Sequence, residues 1–218
     1  MRLLLKYKKR IFIVTIILTL TVFAFYYIYK NSVNHDALMI KNSYESVNGE
    51  YKSMYIDSNA DIKNISEKEA VEKIESSSGV IFIGYNKCEY CRETLSVILD
   101  VLSDNNMELM YLDGENLRDE YIVKNDSLKK NIYASASYYK LLDLLDDYID
   151  PYIIEDDGKK YDTKEKRIEL PTVIFISNGK VVGFYTSSKE EDYKELYKKF
   201  ENDLVKIDGE VCSKDTKC

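Results

Sequence analysis

The stretch GVIFIGYNKCEYCRETLSVILDVLSD, residues 79–104, changes its apolar period midway. Val80, Ile81, Phe82 and Ile83 are a continuous run of apolar β-formers, the pattern of a strand buried on both faces. Beyond Cys88 the apolar positions are Leu95, Ile98, Leu99 and Leu102, a helical spacing. A strand with no wet face must be covered on both sides. The chain is thereby restricted to a layered α/β arrangement, with helices above and below a sheet.

The flanking sequence supplies partners for that strand. DIKNIS (61–66) reads as a short strand, and SEKEAVEKIESSSG (66–79) as a helix, with Ser66 and Glu69 in capping-box spacing and Ala70, Val71 and Ile74 as its apolar stripe. MELMYLDG (107–114) is a second buried-strand candidate. Residues 116–149 read mostly as helix, clearest at SASYYKLLDLLDDYI with Leu141, Leu144, Leu145 and Tyr148 on one face; Asp150-Pro151 ends it. After the charged stretch DDGKKYDTKEKR comes IELPTVIFISNGKVVGFYTS, two apolar runs joined at Asn178-Gly179, a strong hairpin signal. The last element, SKEEDYKELYKKFENDLVKI, is an amphipathic helix whose start is predicted from Ser188 and Glu191 and whose stripe is Tyr193, Leu196, Phe200 and Leu204. The expected fold class is α/β: β-α-β-α-β, a helical insertion over 116–165, then β-β-α, with a mixed sheet covered by helices over residues 61–208.

Residues 1–30 differ in kind. They carry six Lys or Arg and no acid. Residues 11–28 contain no charged side chain and would span about 27 Å as a helix, close to a bilayer core. Arg2, Lys6, Lys8, Lys9 and Arg10 precede the run, while Tyr26, Tyr27 and Tyr29 close it. The expected arrangement is a cytoplasmic basic segment (1–10), a transmembrane anchor (11–29) and everything beyond it outside the cell membrane. A cleaved signal peptide would need small residues at its end, and FAFYYIYK is bulky. Residues 30–60 are polar and weakly patterned, and read as a stalk holding the chain's only histidine, His35. Beyond residue 30 the chain holds 25 basic and 38 acidic residues, a net charge of −13 with no basic stripe. Such a surface repels phosphate backbones and excludes nucleic acid as a partner.

Outside the membrane no glutathione pool keeps thiols reduced, so the four cysteines are disulfides, redox pairs or metal ligands. Cys88 falls between a buried strand and a helix, where free N–H groups and the helix dipole stabilise a thiolate. Cys91 lies one turn on, on the same face. The pair thus offers an attacking and a resolving sulfur: Cys88 attacks a substrate disulfide, Cys91 resolves the mixed disulfide, and the reverse sequence oxidises a dithiol. Lys87 and Arg92 favour the thiolate and Glu89 opposes it, so the redox direction stays open. Two alternatives stand beside this. One is a zinc site, which would need Cys212, Cys218 or His35 as further ligands. The other is a permanent disulfide closing a very small loop, with little entropic gain. No metal and no cofactor is expected.

The buried strand running into Cys88-Glu89-Tyr90-Cys91, the segment ELPTVIFISNGKVVGFY and the closing amphipathic helix resemble the thioredoxin family over most of residues 61–207. SYESVNGEY, CEYCRE, YYKLLDLLDDYIDPYI and YDTKEKRIELPTVIF are more narrowly similar to the bacteriocin transport accessory proteins of Gram-positive bacteria. The resemblance implies a cis Leu170–Pro171 bond facing the cysteines, with Leu170, Pro171, Glu89 and Tyr90 contacting substrate, and protein thiols or disulfides as partners. It also implies a membrane electron donor or an exporter nearby. Three positions depart from the thioredoxin pattern. Lys87 stands where thioredoxins carry Trp, Glu89-Tyr90 replaces Gly-Pro, and Phe82 replaces a buried acid. The activity expected is a membrane-anchored thiol–disulfide oxidoreductase; the alternative is a non-catalytic accessory module of a surface or export complex. The tail, 209–218, holds Cys212 and Cys218, a candidate second disulfide or a relay of electrons to the first pair.

Overall fold

The computed structural model describes residues 14–23, 34–187 and 189–208. Of the expected anchor it describes α1 (residues 14–23), whose apolar side chains are exposed; the rest of 11–29 and the tail with Cys212 and Cys218 lie outside the described residues. Among the described residues no helix is long and apolar enough to cross a membrane.

After α1 come α2 (His35–Glu45), β1 (Ile62–Asn64), α3 (Glu67–Ser76), β2 (Gly79–Gly84), α4 (Glu89–Asp104) and β3 (Leu109–Asp113). Then follow β4 (Glu120–Lys124), β5 (Ser127–Ile132), α5 (Ala136–Leu144), β6 (Pro151–Asp156), β7 (Lys159–Lys166), β8 (Thr172–Ser177), β9 (Lys180–Thr186) and α6 (Tyr193–Asp208). A five-stranded mixed sheet runs in the order β1-β3-β2-β8-β9. β1, β3 and β2 are parallel; β8 pairs antiparallel with β2, and β9 with β8. Every residue of β2 and of β8 is buried. Alternation sends Val80 and Phe82 to one face, against α2, α4 and α6, and Ile81 and Ile83 to the other, against α3 and α5. The α/β class with a mixed sheet between helices is therefore as expected from the continuous apolar runs.

Local chemistry sets the boundaries. Ser66 and Glu69 form the capping box at α3. Asn178 and Gly179 both take positive φ and close the β8–β9 turn, as a two-residue hairpin requires.

Three expectations are corrected. The stalk is not one: α2 packs Ala37, Ile40 and Tyr44 into the core, joined by Met54 and Ile56. Asn34 caps α2, and its Nδ2 donates to the carbonyls of Ala60 and Ile62, fastening the helix to β1. The insertion is not mainly helical: β4–β5 and β6–β7 are two antiparallel hairpins flanking the short helix α5. Their turns, Asn125-Asp126 and Asp157-Gly158, have both residues at positive φ. Finally, α6 begins at Tyr193, and Asp192 caps it by accepting from the N–H groups of Lys194 and Glu195. The start predicted from Ser188 and Glu191 is too early, and Ser188 itself is outside the described residues.

Candidate functional site

β2 delivers the chain to the edge of the sheet at Gly84. The turn Tyr85–Cys88 follows, closed by Cys88 N–H donating to the Tyr85 carbonyl at 3.3 Å. Cys88 is then the N-cap of α4, with its Sγ accepting from the Cys91 N–H at 3.2 Å. Its sulfur thus occupies the position where a helix holds an anion best. Cys88 and Cys91 are disulfide-bonded, with Cα atoms 5.1 Å apart. Cys91 is fully buried and Cys88 half-buried, while Glu89 and Tyr90 between them are exposed. One sulfur is therefore open to a partner and the other is shielded.

Close backbone approaches shape this end of the sheet. A Cβ on Gly84 would stand 2.6 Å from the Phe82 ring and 3.1 Å from Cys91 Cβ. Gly114 N–H donates to the Gly84 carbonyl at 2.9 Å, and a Cβ on Gly114 would meet Leu170 Cδ1 at 2.8 Å. The Leu170–Pro171 peptide bond is cis. β8 pairs Thr172 with Ile83, so the register continued by one residue sets Pro171 beside Gly84, where β2 turns toward Cys88. Cys88, Cys91, Glu89, Tyr90, Leu170 and Pro171 are thus brought to one end of the sheet. Cys212 and Cys218 lie outside the described residues, and so does the four-thiolate arrangement that would need them. His35 is exposed at the start of α2.

Beneath the cysteines lie phenols. Phe82 stacks on Tyr111 with ring centroids 5.8 Å apart, Tyr111 OH donates to the Gly84 carbonyl at 3.0 Å, and Tyr44 OH lies 3.3 Å from Tyr111 OH. Burial raises the pKa of both tyrosines, so both stay neutral at physiological pH. Arg92, the residue after Cys91, is 1% exposed. Its guanidinium donates to the carbonyls of Lys52, Tyr44 and Asn86 and to Asn48 Oδ1. It thus pins the α2 segment to the turn before Cys88. At the rim, Lys87 pairs with Glu115 at 3.2 Å. Arg118 and Arg167 share Glu169, at 3.5 and 3.9 Å, next to Leu170. Burial, and then the like charge of Arg167, lower the Arg118 pKa.

Tyr44, Asn48, Tyr111, Gly84 and Gly114 were not singled out by sequence reasoning. The two glycines carry a readable signal, since Gly84 directly follows an apolar strand run and Gly114 follows another with only Asp113 between. The tyrosines carry none, because twenty are spread along the chain. A groove of about 390 Å³ between residues 52–55, α4 and the start of α6 is lined by Arg92 and Tyr185 among others and by neither cysteine. No family model and no curated protein matches this chain.

Proposed function

We propose that this protein is a thioredoxin-like thiol–disulfide oxidoreductase, held at the cell membrane by residues 11–29 with its α/β domain outside. The observation that carries the reading is the placement of Pro171 at the head of β8, in register with the strand end that leads into the Cys88–Cys91 bridge at the N-terminus of α4. The strand order and the helices on both faces support a thioredoxin-like fold. Leu170 and Pro171 would present backbone to an extended substrate peptide, with Glu89 and Tyr90 as exposed contacts. Cys88, the more open sulfur, forms the mixed disulfide with a substrate protein; Cys91, buried behind it, resolves it.

The test is trapping in the full chain. Cys91→Ala is expected to accumulate mixed disulfides joined at Cys88, and Cys88→Ala to accumulate none. Equal behaviour of the two variants would overturn the reading. A second reading, a non-catalytic accessory module of an exporter like the bacteriocin transport accessory proteins it resembles, is favoured by the hairpins of the insertion, which expose Ile122, Ile132, Tyr133 and Ile153. It requires partner capture to survive replacement of both Cys88 and Cys91.

A further inference from the structure

The fully buried guanidinium of Arg92 has no carboxylate partner among the described residues. All four of its acceptors are neutral oxygens. Glu93, next to it in sequence, pairs with Lys52, and Glu45, next to Tyr44, pairs with Lys41. A buried charge that stays ionised is costly without an opposite charge, and arginine does not shed its proton in proteins. One of its bonds goes to the Asn86 carbonyl, inside the turn that delivers Cys88 to the helix N-terminus. The unpaired charge is thereby held two residues before Cys88, whose sulfur is released at the helix N-terminus when the bridge opens.

The other charged groups around that turn are differently placed. On α4, Glu89 is exposed; at the end of β3, Asp113 is exposed, and beyond it Glu115 is exposed and paired with Lys87; beside Leu170, Arg118 and Arg167 share exposed Glu169. Tyr44 and Tyr111 are buried and neutral. Exposed charges are screened by water and salt, so Arg92 is the one fully withdrawn from solvent.

We propose that Arg92 is a positioning residue that favours the dithiol over the disulfide, so that the Cys88–Cys91 disulfide acts as an oxidant of protein dithiols; this rests on the pair being redox-active. A substrate thiolate attacks Cys88 Sγ, the Cys88–Cys91 bond breaks, and Cys91 leaves and takes up a proton. The second substrate thiolate attacks the substrate sulfur of the mixed disulfide, closing the substrate disulfide and expelling Cys88 as a thiolate. Two electrons pass from substrate to protein. Of the two substrate thiol protons, one is matched by that on Cys91 and the other goes to solvent. A stabilised thiolate makes Cys88 the better leaving group and the reduced form the more stable one, which is what makes such a pair oxidising.

The experiment uses the full chain in detergent micelles. The chain is equilibrated with graded glutathione buffers, and the peptide carrying both cysteines is read by mass spectrometry. The decisive variant is Asn48→Asp, which supplies a carboxylate to the guanidinium while keeping an acceptor at the same place, at the cost of the bond from Asn48 Nδ2 to the Met54 carbonyl. Asn48→Asp and Arg92→Met are expected to move the equilibrium about tenfold toward the disulfide, equivalent to about 30 mV for this two-electron couple. Both are expected to raise the pH midpoint of Cys88 alkylation by about one unit; Arg92→Lys stays nearer the parent. If Arg92→Met does not fold, Asn48→Asp carries the test. An equilibrium and midpoint unchanged in Asn48→Asp would overturn the role of Arg92 while leaving a redox-active pair. A parent disulfide that exchanges with no glutathione buffer would overturn the redox reading itself, and this inference with it.

Discussion

The central sheet and the insertion between β3 and β8 are held together by different forces. β2 and β8 bury every side chain, and the layers on either face are apolar. The insertion is split: α5 packs Tyr138 and Leu141 into the core, while β4, β5 and β6 leave alternate residues in water. What ties the hairpins to each other is Lys130, 13% exposed, whose Nζ lies 3.1 Å from Asp119, 2.8 Å from Glu165 and 3.3 Å from Tyr139 OH. The same ammonium sits 5.3 to 5.4 Å from the ring centroids of Tyr121, Tyr133 and Tyr139. Burial alone would lower the Lys130 pKa, but Glu165 and Asp119 outweigh it and hold it above its ordinary range. The cysteines thus stand on a packed scaffold that is apolar apart from Arg92, and the hairpins that precede the Leu170–Pro171 loop are joined by a charge cluster.

The contrast can be broken by substitution. The largest effect is expected from Phe82→Ala, which empties a fully buried site under the cysteine turn and should cost about 4 kcal/mol of global stability in denaturant titration. Removing the cation by Lys130→Met leaves Asp119 and Glu165 unpaired and should cost about 2 kcal/mol. Hydrogen exchange should accelerate in β4–β7 while β2 and β8 stay protected; acceleration across the central sheet would show that the two regions are one cooperative unit. A smaller, pH-dependent effect sharpens the comparison. Burial opposes ionisation of Asp119, but the Ala134 N–H, Tyr139 and Lys130 outweigh it and depress its pKa. Its contribution is present above the unfolded value of about 3.9 and is lost as pH falls through the folded value. Lys130 is raised, so its contribution holds below about 10.4 and is lost only as pH rises through the folded value. Protection of β4–β7 relative to the intrinsic exchange rate should therefore be flat between those limits and fall in acid before that of β2. The smallest effect belongs to Lys159→Ala, which removes an exposed pair with Asp126 at the hairpin tips and should cost no more than about 0.5 kcal/mol.

The same contrast explains which parts were legible. Val80–Ile83 and Val173–Ile176 are short uninterrupted runs of apolar β-formers, the pattern of a strand covered on both faces. The Cys88 cap and the Asn178-Gly179 turn followed from residue types whose geometry is nearly forced. The hairpins were hidden because their half-buried residues alternate with Lys, Glu and Asp, and because Asn125-Asp126 and Asp157-Gly158, both turn signals, lie within charged stretches. α2 was hidden by its narrow stripe of three residues, two of them, Ala37 and Tyr44, weakly apolar. At the site, the cysteines and the proline were readable. The Tyr44–Tyr111 pair and three of the four neutral oxygens around Arg92 were not, since residues 40 or more apart in the chain meet there only through the tertiary fold.

The reduction potential of the Cys88–Cys91 pair in the full chain tests the central claim most directly. A redox-active pair working as an oxidant is expected above about −200 mV, and a merely structural disulfide would lie below about −300 mV and contradict it.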